Sequence, residues 1–155
     1  MALEYKLLIK EDEINSDNLK RILLDLDWSN KQEVLSRQST FFSLENSIGF
    51  DIYLLNGNLS VLEIEDEVQE FKNSITFRIN KDYEDPTDFK TNMLELVLKI
   101  REIVNSEILF LFNGEIIILK SNNERIVIGK TDFWSHQLLK IIDDLDYKQR
   151  QFEIL

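Results

Sequence analysis

The only histidine in the chain is His136, and Asp132 stands four positions before it. On a helix, residues at i and i+4 share a face, so the two side chains could act as an acid/base pair or begin a metal site. A zinc or iron centre needs more ligands than that, and the chain has neither a second histidine nor a cysteine. His136 also points away from the apolar stripe of Trp134, Leu138 and Ile141, where an exposed ion pair is the ordinary outcome. Serines are plentiful, but there is no G-x-S-x-G elbow and no free histidine base for a triad. The glycines, Gly49, Gly57, Gly114 and Gly129, are too scattered for a dinucleotide fingerprint or a Walker loop. No metal, cofactor or catalytic residue is expected.

Acidic residues are the more prominent resource. Between Arg37 and Lys72 no basic residue occurs, while Glu45, Asp51, Glu63, Glu65, Asp66, Glu67 and Glu70 all fall in the gap. If Leu62 and Ile64 face the core, Glu63 and Glu65 emerge on the opposite face about 6–7 Å apart, with Glu67 next if the strand continues. A calcium loop needs a glycine at its bend, which "EIEDEVQE" lacks. Nothing selects two of these acids as a glycoside-cleaving pair. Two readings stay open: a solvated edge strand whose charges discourage aggregation, or a docking surface for a basic partner.

The charge of the whole chain bears on that choice. With 18 Lys and Arg against 29 Asp and Glu in 155 residues, the formal charge is −11. A field of that sign repels phosphate backbones and anionic lipid and attracts basic proteins, so neither nucleic acid nor a membrane is an expected partner. The absence of cysteine excludes a disulfide framework and is compatible with a reducing compartment. The N-terminus alternates as a strand does and carries an acid at Glu4, unlike a signal or transit peptide. No apolar run approaches the roughly 20 residues of a membrane helix. A cytoplasmic protein with one domain over residues 1–155 is expected.

The elements that would position these residues are legible in part. Leu3, Tyr5, Leu7 and Ile9 alternate with polar neighbours, with Leu8 breaking the period, and predict a first strand. Asn15-Ser16-Asp17 offers caps for a helix over about 16–28 carrying Leu19, Ile22, Leu23 and Leu26 inward. Phe41 and Phe42 suggest a short strand. Ile48 to Leu54 and Leu59 to Glu65 alternate on either side of Asn56-Gly57-Asn58, which reads as a hairpin turn. Ile75, Phe77 and Ile79 mark a further strand. Asp85-Pro86 starts a helix with Phe89, Met93, Leu96, Val97, Ile100 and Val104 on one stripe. "ILFLFNGEIIIL" at 108–119 predicts a hairpin with a type I′ turn at Asn113-Gly114, apolar on both faces and so central in its sheet. Ile126 to Ile128 predict one more strand, and Thr131 caps a closing helix with Trp134, Leu138, Ile141 and Leu145 inward. The class is α+β: an antiparallel sheet of about five to seven strands with two or three helices packed on it.

The opening "MALEYKL", the hairpin "LFLFNGEIIIL" and the later "DFW" at Asp132-Phe133-Trp134 resemble the small immunity proteins of bacterial polymorphic toxin systems. The similarity is to Sit-type immunity proteins, related in role to those of contact-dependent growth inhibition. The resemblance implies a cytoplasmic protein that binds one cognate toxin domain and occludes its active site without turnover. The toxin would be basic, a nuclease being one option, because an acidic inhibitor gains association rate against a basic cleft. On this reading Glu63, Glu65, Asp66, Glu67 and Glu70 form an acidic rim, and Tyr53, Phe71 or Tyr83 supply aromatic anchors. Two other classes compete: a small enzyme using dispersed carboxylates, and a structural or regulatory adaptor that associates through an exposed sheet edge.

Overall fold

A computed structural model of the protein describes residues 3–80 and 86–155, and the side chains of all of these except 58–59 and 86–88. The chain order is β1 (Glu4–Ile9), α1 (Ser16–Asp25), β2 (Asn30–Val34), β3 (Ser39–Leu44), β4 (Phe50–Ile64), β5 (Glu67–Ile79), α2 (Pro86–Ile103), β6 (Ile108–Phe112), β7 (Ile116–Ser121), β8 (Ile126–Gly129), α3 (His136–Ile141) and β9 (Tyr147–Arg150). The described strands form one nine-stranded sheet in the order β2-β3-β4-β5-β1-β6-β7-β8-β9. All neighbours pair antiparallel except β8 and β9, which run parallel.

The class is α+β as expected, but the sheet is larger than five to seven strands. The two edges account for much of the difference. β2 reads "NKQEV" and β9 reads "YKQR", and both are largely exposed. An edge strand that buries no face carries no apolar alternation, so neither announces itself in the sequence.

Leu7, Ile9, Ile52, Leu54, Ile75, Phe77 and Phe110 lie on one face of the sheet, in a cluster with Leu19, Ile22 and Leu23 of α1, Met93, Val97 and Ile100 of α2, and Leu138 of α3. Aromatic rings run across this face edge to face, with centroids 5.9 Å apart for Trp28 and Phe50, 5.2 Å for Phe50 and Phe77, 5.9 Å for Phe77 and Phe110, and 5.7 Å for Phe110 and Phe133. The opposite face carries a second cluster of Leu8, Leu109, Leu111, Ile117, Ile64 and Phe71. This explains why Leu8 breaks the alternation of β1. It also explains the continuously apolar β6 and β7, which have a core on each side.

The local signals at the helix starts hold for α1 and differ for α3. Asn15 and Asn18 cap α1 reciprocally, each side-chain oxygen accepting from the other's backbone N–H at 2.9 and 2.7 Å. Pro86 is the first residue of α2, while the proposed cap Asp85 lies outside the described residues. The closing helix is capped by Ser135, whose Oγ accepts from Leu138 N at 3.2 Å, and not by Thr131, which accepts from Phe133 N in the preceding turn. Asp132 therefore precedes the helix and shares no helical face with the exposed His136.

The type I′ turn is in place. Asn113 and Gly114 take φ of 51° and 69°, and Glu115 N donates to Phe112 O at 3.2 Å. The Asn56-Gly57-Asn58 turn is not. These residues form an irregularity within the single long strand β4, where the register slips from Asn56 opposite Asn73 to Ser60 opposite Phe71. Extra residues on one strand of a pair bend the ladder without ending it. The chain reverses instead at Glu65-Asp66, with φ of 51° and 69°.

Candidate functional site

The acidic stretch is thus the far end of a β4–β5 ribbon, over residues 60–71, bent away from the main sheet at its irregularity. One side of this arm is apolar. Leu62, Ile64 and Phe71 rest on Leu8, Leu109, Leu111 and Ile117, so the arm lies across the back of β1, β6 and β7. The other side faces water. Val61 stands opposite Glu70 and Glu63 opposite Val68, and the two valines are 53% and 69% exposed. Period-2 alternation puts Val61 and Glu63 on one side and Leu62 and Ile64 on the other. The same rule, applied across the strand pair, would have identified the two valines from the sequence.

The predicted rim residues occupy different environments. Glu63 and Glu70 are exposed on the outer side of the arm, and Glu67 is exposed at the start of β5, opposite Ile64. Glu65 and Asp66 form the tip. Glu63, Glu65 and Glu67 do not make one row along a continuous strand, because the turn interrupts it after Ile64. Arg150 Nη2 at the end of β9 pairs with Glu65 Oε1, and its guanidinium lies 5.0 Å from the Phe152 ring centroid. The tail continues to Leu155, whose N donates to Glu115 O at 2.9 Å in the β6–β7 turn. The arm tip is held from the end of β9, a contact that nothing in the local sequence signals.

The predicted aromatic anchors separate in the same way. Phe71 is fully buried in the second cluster, so it is a packing residue and not a surface anchor; the bend at Asn56–Ser60 turns it inward. Tyr53 remains half-buried on the back of the sheet, 4.7 Å from the Phe41 ring, with its hydroxyl accepting from Arg78 Nη1 at 3.3 Å. Tyr83 lies outside the described residues. Among the described residues, no three His, Asp or Glu side chains gather as a metal-ligating set. No described helix is long and apolar enough to cross a membrane.

The family model described as SitI3-like matches residues 3–138. Comparison with curated proteins and with solved structures gives no match. The matched stretch contains the whole arm and both long strands that carry it, and it leaves β9 and the tail outside. A match that runs from β1 into α3, over well more than half of the chain, settles the affiliation: the protein belongs to the SitI3-like family.

Proposed function

We propose that the protein is an immunity protein that binds a cognate toxin domain and occludes its active site without catalysis. The SitI3-like affiliation supports an immunity role and implies a toxin partner. On this reading the chain acts in the cytoplasm as a single domain, paired with a basic toxin domain of a polymorphic toxin system.

The observation that carries the docking site is the outer side of the arm. There Glu63 and Glu70 flank the exposed Val61 and Val68, and residues 60–71 include no basic side chain. Acids at such a surface accelerate encounter with a basic cleft, and the valines supply apolar area that leaves water on contact. Tyr53 would extend the surface along β4. Glu65 is the less suited of the tip acids, because Arg150 already neutralises it.

The test uses the toxin domain encoded beside the gene for this chain. Co-expression of the protein should rescue cells from it, and the doubly reversed variant Glu63→Lys/Glu70→Lys should associate about tenfold more slowly with little change in dissociation rate. Unchanged association kinetics would move the docking face elsewhere. Failure of the wild type to rescue would remove the immunity reading itself.

A second reading has its own support. β2 is an outer edge of the sheet among the described strands, with Val34 at its end 72% and the following Leu35 50% exposed, which suits an adaptor that associates through strand addition.

A further inference from the structure

A cavity of about 400 Å³ opens where β7 outruns β8, between the 129–133 loop and the tail at 151–154. Its volume lies in the range of small-molecule sites, roughly 300–1,000 Å³. Phe112, Phe133 and Phe152 contribute to its lining, together with Tyr5 and Lys90. It is separate from the outer side of the arm, since none of Val61, Glu63, Val68 and Glu70 lines it. Gly129 makes the close packing of its wall possible: a Cβ there would meet Ile117 O at 2.0 Å and Phe152 Cδ2 at 3.4 Å.

Two polar groups face this largely apolar lining without a hydrogen-bonding or ionic partner among the described residues. Tyr5 is only 6% exposed, and its ring sits among Phe112, Phe110 and Phe133 with centroids 4.8, 6.0 and 6.1 Å away. Its hydroxyl makes no hydrogen bond to any described residue. Tyr5 lines the cavity, and a hydroxyl presented there with no described protein acceptor is a place for a ligand acceptor. Burial raises the Tyr5 pKa above 10.0, which keeps the proton available for donation. Lys90, half-buried, holds its Nζ 5.8 Å from the Phe133 ring centroid and forms no ion pair with a described residue. The acids of the lining, Asp132 and Glu153, are exposed at its rim.

We propose that this cavity binds a small aromatic carboxylate, its ring between the phenylalanines and its carboxylate accepting from the Tyr5 hydroxyl and facing the Lys90 ammonium. The aromatic walls select a flat apolar body. Lys90 selects an anion over a cation, since a ligand ammonium would face it directly, while the Tyr5 hydroxyl, which can donate or accept, orients whichever group meets it.

The experiment is an amide NMR titration of the full chain with phenylacetate and 2-naphthoate, and with phenethylamine as the same ring carrying the opposite charge. Saturable shifts centred on Gly129–Phe133 are expected with both carboxylates and not with the amine. Tyr5→Phe and Lys90→Gln should each weaken binding about tenfold. Tyr5→Phe removes one unpartnered oxygen, so its melting temperature should not fall, and a loss of binding is then not a loss of fold. Equal binding of the amine, carboxylate binding unchanged in both variants, or no saturable shifts with either carboxylate would each overturn the proposal.

Discussion

Two polar side chains do structural duties that their types alone do not reveal. Asn73 is 1% exposed, accepts from Glu13 N and Ile14 N at 2.8 and 2.9 Å, and donates to Asp12 Oδ1 at 2.8 Å. It fixes the turn that leads from β1 into α1. Replacement Asn73→Ala strands two backbone donors and should lower stability by about 2–4 kcal/mol, read from urea denaturation. Glu13 ties the same turn to the start of β6, its carboxylate accepting from Asn105 N at 2.7 Å and Ser106 N at 2.9 Å. Burial alone would raise its pKa, but the hydrogen bonds from the Ser106 side chain and the two backbone N–H groups outweigh it and hold the pKa below 4.5. A depressed carboxylate pKa stabilises the fold above the unfolded value of 4.5 and stops doing so as pH falls through the folded value. Glu13→Gln should therefore reduce the acid sensitivity of the wild type, seen as a flatter urea midpoint between about pH 3 and pH 6.

At the scale of elements, the two tight hairpins provide a matched pair of tests. Both have two successive residues at positive φ, but β6–β7 uses Asn113-Gly114 where β4–β5 uses Glu65-Asp66. Left-handed backbone costs a non-glycine residue about 1 kcal/mol, and asparagine and glycine are the residues that best avoid that cost. Asp66→Gly should accordingly stabilise the protein by about 0.5–1 kcal/mol. At Gly114, whose added Cβ would meet nothing within 4 Å, Gly114→Val should destabilise by about 1–2 kcal/mol through backbone strain alone. Thermal melts of the two variants should move in opposite directions. The strained arm tip persists because Arg150 and the buried Ile64 and Phe71 hold it, not because its own turn favours it.

At the scale of the whole molecule, the charge of −11 governs encounters beyond contact distance. Screening shortens such fields to about 8 Å at physiological salt, so association with a basic toxin domain should slow steadily from about 0.05 to 0.5 M salt while dissociation changes little. Stopped-flow rates across that series check it, and a flat association rate would mean that contact chemistry, rather than the acidic field, selects the partner.

The parts of this fold legible in the sequence are those set by local periodicity and turn chemistry. β1, α1, the stripe of α2 and the Asn113-Gly114 turn each repeat a short-range pattern of apolar, capping or glycine residues, and burial follows such patterns wherever one face meets a core. The edges β2 and β9 bury no face and left no pattern to find. Composition established an acidic chain without cysteine, and the spacing of Glu63 to Glu70 marked the acidic stretch. Only the tertiary structure decided what that stretch is. The irregularity after Asn56, the burial of Phe71 and the pairing of Glu65 with Arg150, 85 positions away, turn an apparent edge strand into an arm folded over a second core. Contacts between residues so distant in the chain arise from the packing of finished elements, and short-range sequence patterns do not encode them.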